Sequence, residues 1–373
     1  MVDLKSQYKK IKIEIDEKIL SVLSKGDFIN GSEVKEFQKN LSEYLYCKHV
    51  ITCGNGTDAL QIALMSLDLK EGDEIITADF TFIATAEAIA LLKLKPVLVD
   101  VYADTFNIDI EKLEKAITPR TRAIIPIHLF GQCANMQKIM EIAKRYNLFV
   151  IEDTAQTLGS DFYFSDNSVK KAGTIGNIGC TSFFPSKNLG CYGDGGAIFT
   201  NDDILAKKVK MIANHGSEIK YYNDCIGVNS RLDTIQAAIL NVKLKYLNDY
   251  NNVRKRAADY YDNAFKNSEK IIIPKRSDFS SHIFNQYTII LNKIDRAKLQ
   301  KYLSEKGITS AIYYPVPIHA QKAFQKYNYD NNCFKVSNYL CNNVLSLPIH
   351  SEMTEEILEN ISKNLINASN FLL

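Results

Sequence analysis

The strongest constraint on this chain is the alternation of short apolar runs with helical patterns from Asp73 to Thr200. The runs are DEIITA, KPVLVDV, RAIIPIHLF, LFVIED, GCTSFF and GAIFT. Short, nearly continuous apolar strands are buried on both faces, so this alternation predicts a mostly parallel sheet flanked by helices. MQKIMEIAKRYN is one such helix, because Met136, Ile139, Met140 and Ala143 recur at the spacing of a single helical face. A long helical stretch from Leu232 to Phe265 follows, and then the pattern restarts with IIIP, NQYTIIL, the helical RAKLQKYLSEKG and the strand-like ITSAIYYPV. A chain of 373 residues exceeds one compact core. The expected boundary lies inside the long helix, giving a large domain over residues 1–245 and a smaller C-terminal α/β domain over residues 246–373.

Composition excludes several classes of function. The chain has 45 Lys and Arg against 43 Asp and Glu, a net charge of +2, and no dense basic run, so neither a nucleic acid nor an anionic membrane is the expected partner. The opening MVDLKSQYKKIKIEIDEKIL mixes charged and apolar residues at helical spacing, unlike a signal or transit peptide. The longest apolar stretch, AIALLKLKPVLV, is interrupted by Lys93, Lys95 and Pro96 and cannot span a bilayer. Eight scattered cysteines without a CxxC pair point to a reduced, cytoplasmic protein with no structural metal.

In an open parallel sheet the ligand crevice lies outside the carboxyl ends of the strands. Four segments are placed for such a crevice. In CGNGTDALQIALMSL, Gly54 and Gly56 allow close backbone approach, and Thr57 or Asp58 can cap a helix whose free N–H groups suit a phosphate. The same segment also reads as an ordinary capped turn. In LFVIEDTAQTLG, Asp153 ends an apolar strand, where a carboxylate needs either a cation or a helix to cap; Gln156 follows three residues on.

The third segment is SFFPSKNLGCYGDGG. Lys187 sits between apolar neighbours, and desolvation makes its amine a nucleophile toward carbonyls, with a snorkelling surface lysine as the plain alternative. Ser182 ends the preceding strand, and Gly190, Gly193, Gly195 and Gly196 keep the following loop free of bulk. In the fourth, GVNSRLDTIQAAIL, Ser230 as N-cap would put Arg231 in the first helical turn, against the helix dipole. Such an arginine calls for an anion, either Asp233 or a ligand carboxylate or phosphate. A phosphate cradle, a buried acid, a desolvated lysine and the aromatic DFTFIATAEAI together suit pyridoxal 5'-phosphate (PLP). Its aldehyde takes a lysine and its ring nitrogen an acid.

SFFPSKNLGCYGDGGA, GNGTDAL, VIEDTAQ, TFIATAEAI and GVNSRLDTIQAAIL resemble the DegT-type sugar-nucleotide aminotransferases, a branch of the fold-type I (aspartate aminotransferase fold) PLP enzymes. The resemblance runs from the first helix to at least YYPVPIHAQKAF. It implies a homodimer that moves an amino group from L-glutamate to a keto sugar attached to a nucleotide. It also implies that Lys187 bonds to the cofactor and shuttles a proton, that Asp153 pairs with the ring nitrogen, and that Gln156 lies near the phenolic oxygen. Phe82 takes the ring-stacking position. Gly56, Thr57 and Ser182 hold the phosphate, joined by Asn229 from the partner subunit. For the nucleotide-sugar the resemblance points to Arg231, Tyr313, Tyr314 and His319, with Phe28 and Asn30 of GDFING near the sugar; His319 also reads as a satisfied loop histidine.

SFFPSKNLGCYGDGG with HLFGQCANM is most similar to the subgroup that aminates carbon 3 of UDP-2-acetamido-3-keto-glucuronic acid for surface polysaccharides. The runner-up is an enzyme acting on dTDP-3-keto-6-deoxyhexoses. A dehydratase of the same family would carry histidine in place of Lys187, and a dinucleotide oxidoreductase would need a GxGxxG after an early strand. A non-catalytic regulator on the same fold is the remaining alternative.

Overall fold

The computed structural model describes residues 1–371. Its main sheet has seven strands: β1 (His49–Cys53), β2 (Glu74–Ala78), β3 (Lys95–Val99), β4 (Thr121–Ile125), β5 (Phe149–Asp153), β6 (Ile178–Ser182) and β7 (Gly196–Thr200). They lie in the order β1-β7-β6-β5-β4-β2-β3. The neighbours from β6 to β3 pair in parallel, whereas β7 runs against both β6 and β1.

Successive strand residues point to opposite faces, and both faces are apolar, so each side must be covered. Ile76, Ile124 and Val150 pack with Met136, Ile139 and Ala143 of the helix Met136–Tyr146. Ile75, Ala123, Ile125 and Ile151 pack on the other side with Ala59, Leu60 and Ala63 of the helix Gly56–Met65 and with Val209 and Ile212 of the helix Asp203–Ala213. Each aliphatic side chain fully buried in these layers contributes about 1.5–3 kcal/mol. No helix among the described residues is long and apolar enough to cross a membrane.

The chain then forms a second sheet of three antiparallel strands: β8 (Ile271–Ile272), β9 (Tyr287–Leu291) and β10 (Val344–Leu347). Helices Leu247–Phe265, Arg296–Glu305 and Glu355–Phe371 supply its core, including Tyr261, Leu303 and Leu365. This is the expected α/β architecture, with three local corrections. The long helical stretch is two helices, Thr234–Leu244 and Leu247–Phe265. The strand expected at ITSAIYYPV is reduced to one bridge between Ala311 and Ser346, because prolines 315 and 317 cannot donate to a ladder. Strand β1 was not among the expected runs and fills the edge beside β7.

Candidate active site

The carboxyl edge of the main sheet gathers the loops after β1, β2, β5 and β6. Register places Gly196, the first residue of β7, beside both Cys53 and Ser182. At that point the helix Gly56–Met65 begins. Its N-cap is Asn55, whose side chain accepts the Asp58 N–H at 2.8 Å, so neither Thr57 nor Asp58 is the cap. Gly56 is required here, since a Cβ on it would lie 2.7 Å from the Ser182 Cβ. The Thr57 side chain makes no hydrogen bond among the described residues, and the Ser182 hydroxyl accepts only the Phe184 N–H at 3.2 Å. The open N-terminus of a helix with two hydroxyls beside it is a site for an anion.

Asp153, the last residue of β5, is 7% exposed. One carboxylate oxygen accepts the Thr85 hydroxyl at 2.8 Å and the other the Ala155 N–H at 3.1 Å. No ion pair to Asp153 occurs among the described residues. Its neighbour Glu152 points to the opposite face, where it accepts the N–H groups of Gly173, Ile175 and Gly176 and meets His128 Nε2 at 2.9 Å. Glu152 is therefore spent on holding the strand end, and Asp153 is left to face the crevice.

Lys187 is half-buried on the loop after β6, and its ammonium nitrogen has no hydrogen-bond or ion-pair partner among the described residues. Burial holds its amine below the ordinary lysine value, while the Asp153 carboxylate acts in the opposite direction. A buried acid without a cation and a half-buried, desolvated amine without an anion thus lie near each other without bonding. They suit a ligand that takes a bond from the amine and offers a positive charge to the acid.

Gln156 accepts the Phe130 N–H at 2.7 Å and donates to the Tyr314 hydroxyl at 3.0 Å. Burial pushes the Tyr314 phenol up, so it stays protonated. Tyr314 lies between Phe80 and Phe82, at 6.0 and 6.2 Å between ring centroids. Phe82 is 57% exposed beside Tyr314. Tyr313 is half-buried beside Tyr314.

The segment with Ser230 and Arg231 differs from expectation. Ser230 is not a helix cap. Its hydroxyl accepts the Gly54 N–H at 2.8 Å and donates to Asp58 at 2.6 Å, and the helix begins at Thr234. Arg231 therefore precedes the helix rather than opposing its dipole, and among the described residues its guanidinium has no partner, Asp233 included. Asn229 is exposed next to this anchor. The segment with Phe28 and Asn30 is tied to the same helix start: the Phe28 carbonyl accepts the Thr234 N–H at 2.9 Å, and the Gly31 N–H reaches the Thr234 hydroxyl at 3.1 Å. Asn30, Ser230 and Arg231 line one groove of about 780 Å³.

His319 is fully hydrogen-bonded within the protein. Its backbone N–H and Nδ1 both bind Asp79 at 2.8 Å, its Nε2 binds Asn331 Oδ1 at 2.8 Å, and its ring stacks on Phe334. Burial alone would lower its pKa, but the Asp79 carboxylate raises it above the ordinary histidine value. Sequence reasoning also missed Thr85, the donor to Asp153. Its only sequence signal is a hydroxyl among small residues at the start of the helix Ala84–Leu91.

The model of the DegT/DnrJ/EryC1/StrS aminotransferase family matches residues 9–366. The chain belongs to that family. This aminotransferase is 44% identical over 358 residues to a pleiotropic regulatory protein of Geobacillus stearothermophilus, covering 95% of this chain and 94% of that one. It is 43% identical to the UDP-2-acetamido-2-deoxy-3-oxo-D-glucuronate aminotransferase of Pseudomonas aeruginosa, over 98% and 99% of the two chains. It is 40% identical to the dTDP-3-amino-3,6-dideoxy-alpha-D-galactopyranose transaminase of Aneurinibacillus thermoaerophilus, over 96% of each. Among solved structures, a family aminotransferase from Brucella abortus superposes with a TM-score of 0.93 at 41% identity and 98% coverage of both chains. NtdA from Bacillus subtilis with bound cofactor PMP superposes at 0.89 and 34% identity, over 97% of this chain and 82% of that one.

Proposed function

We propose that this aminotransferase moves an amino group from L-glutamate to carbon 3 of UDP-2-acetamido-3-keto-glucuronic acid, using PLP held on Lys187. The observation that carries the reading is the unbonded pair of Lys187 and Asp153 in one crevice. PLP, of which PMP is the amine form, supplies an electron sink that lets a proton leave the carbon bearing the amino group. Asp153 keeps a positive charge on the ring nitrogen, and Thr85 and the Ala155 N–H hold its carboxylate in place. With the cofactor bound, the Lys187 amine, whose pKa burial lowers, would be the group that takes up and returns the proton. Gly56, Thr57 and Ser182 hold the phosphate, with Asn229 of the partner subunit completing the cradle. Phe82 would cover the ring, and Gln156 would stand near the phenolic oxygen.

Arg231, without a protein partner among the described residues, is the cation for an anionic part of the nucleotide-sugar, with Asn30 in the same groove and Phe28 on the adjoining segment, while Tyr313 stands beside Tyr314. Tyr314 belongs to the same wall, its hydroxyl held by Gln156, and His319 supports this wall through Asp79. The choice of a UDP-uronate is supported by 43% identity over essentially the whole of both chains. The second reading, a dTDP-3-keto-6-deoxyhexose acceptor, is supported by 40% identity to such an enzyme. A cytoplasmic homodimer serving surface polysaccharide synthesis, with the expected domains 1–245 and 246–373, completes the proposal. The test is a panel of UDP- and dTDP-linked 3-keto sugars offered with glutamate, with products weighed by mass spectrometry. Amination of the UDP-uronate alone is expected; amination of the dTDP sugars alone selects the second reading, and no amination with cofactor bound favours a regulator.

A further inference from the structure

The helix Thr234–Leu244 carries a lysine that the proposed reaction does not use. Lys243 is 1% exposed and forms no ion pair among the described residues. Its ammonium donates to the Gly190 carbonyl at 2.7 Å and lies over the face of the Tyr192 ring, 4.3 Å from the centroid. Two helical turns earlier, on the same face, Gln236 accepts the Tyr192 N–H at 2.9 Å. Both side chains therefore grip the loop that follows Lys187.

That loop is a closed unit. The Phe183 N–H binds the Gly195 carbonyl, Cys191 N–H binds the Phe183 carbonyl, and Lys187 N–H binds the Phe184 carbonyl. At Gly190 the chain folds back so tightly that a Cβ would lie 2.4 Å from the Pro185 carbonyl oxygen. Fixing the Gly190 carbonyl thus fixes the turn from Pro185 to Gly190, in which Lys187 sits. The opposite side of the turn is held by Asn188, whose side chain donates to Asn251 at 2.6 Å and accepts from Asn285 at 2.8 Å.

Burying an ammonium without an anion is costly, and a hydrophobic residue of similar length would fill this space more cheaply. We infer that Lys243, with Gln236, is a positioning residue that sets the direction of Lys187 in the crevice. The inference rests on the reading of Lys187 as the cofactor lysine. Burial brings the Lys243 pKa down to about 8, and the Cys191 thiol acts in the opposite direction. The other titratable group facing it is Tyr192, whose phenol burial pushes up to about 12.

The test compares the holoenzyme with Lys243→Met, Gln236→Leu and a control, Leu303→Ala, in the core of the second sheet. Three readouts are needed: kcat and KM of the glutamate half-reaction, the pH midpoint of the cofactor's absorption change, and the thermal midpoint. A mispositioned catalytic group lowers kcat, so Lys243→Met is expected to lose about 10-fold or more in kcat with KM nearly unchanged. Its absorption midpoint should move by about 0.5 unit or more. Gln236→Leu should move both in the same direction, and Leu303→Ala should lower only the thermal midpoint. Wild-type kcat and midpoint in Lys243→Met overturn the inference, as does an equal midpoint shift in Leu303→Ala. If Lys243→Met does not fold, Gln236→Leu decides by the same two readouts. Peptide mapping of the reduced wild-type holoenzyme separates the two layers. A label on another lysine removes the reading of Lys187, whereas a label on Lys187 with unaffected variants removes only the role of Lys243.

Discussion

At the scale of single residues, function follows from charges left without partners. Asp153 ends an apolar strand and keeps its carboxylate facing the crevice, held by Thr85 and a backbone N–H. Asp153→Asn should keep much of the cofactor but lose roughly 100-fold or more in rate, because an amide cannot stabilise a positive ring nitrogen. Single-turnover kinetics with glutamate measure this, and a near wild-type half-reaction removes Asp153 from the mechanism. Arg231 was expected to oppose a helix dipole. The structure replaces that argument with a plainer one, a guanidinium before the helix with nothing to bind. Losing a hydrogen bond to a charged group costs about 1.5–3 kcal/mol, so Arg231→Ala should raise KM for the sugar nucleotide by roughly 10-fold or more. KM for glutamate should stay nearly constant, and equal effects on both substrates contradict a role in nucleotide-sugar recognition.

At the scale of elements, the sheet was legible because each strand is a continuous apolar run, a pattern that only burial on both faces explains. The details that depend on distant partners were not. Ser230 looks like a cap, yet its hydroxyl is taken by Gly54 and Asp58, which are more than 170 residues away in sequence. The break between the helices at Lys245 and Tyr246 has no glycine or proline to announce it; Lys245 keeps nearly helical dihedrals, and Tyr246 departs to φ −100° and ψ −1°. His319 is another case. It closes the loop that carries Tyr313 and Tyr314 onto Asp79, at the end of β2. Its folded-state pKa is raised, so the folded protein binds the proton more tightly than the unfolded chain does. The stabilisation is fully present below the ordinary histidine pKa of about 6.5 and is lost as pH rises through the higher folded value. Removing one partner of a buried pair costs about 3 kcal/mol. His319→Gln should therefore lower stability most at acidic pH, and its gap from wild type in denaturant unfolding should narrow toward pH 9. A gap independent of pH contradicts a charged His319.

At the scale of the whole molecule, the proposed homodimer would build each site from two chains, with Lys187 from one and Asn229 from the other. A closed dimer uses the same surface twice, so a reach across is reciprocal. Lys187→Ala and Asn229→Asp, each inactive alone, should recover activity when co-expressed. Random pairing makes roughly half of the dimers mixed, each with one intact site, giving up to about a quarter of wild-type activity. No recovery in demonstrated mixed dimers places both residues in the same chain's site. The proposed chemistry depends on which lysine holds the cofactor, and among the described residues burial lowers the pKa of two lysines, Lys187 and Lys243. Lys243 is engaged by Gly190 and Tyr192, whereas Lys187 is free in the crevice with Asp153. Borohydride reduction of the holoenzyme, followed by proteolysis and mass spectrometry, separates them. The account predicts a pyridoxyl label on Lys187 that is lost, together with turnover, in Lys187→Ala; a label on Lys243 or on any other lysine contradicts it.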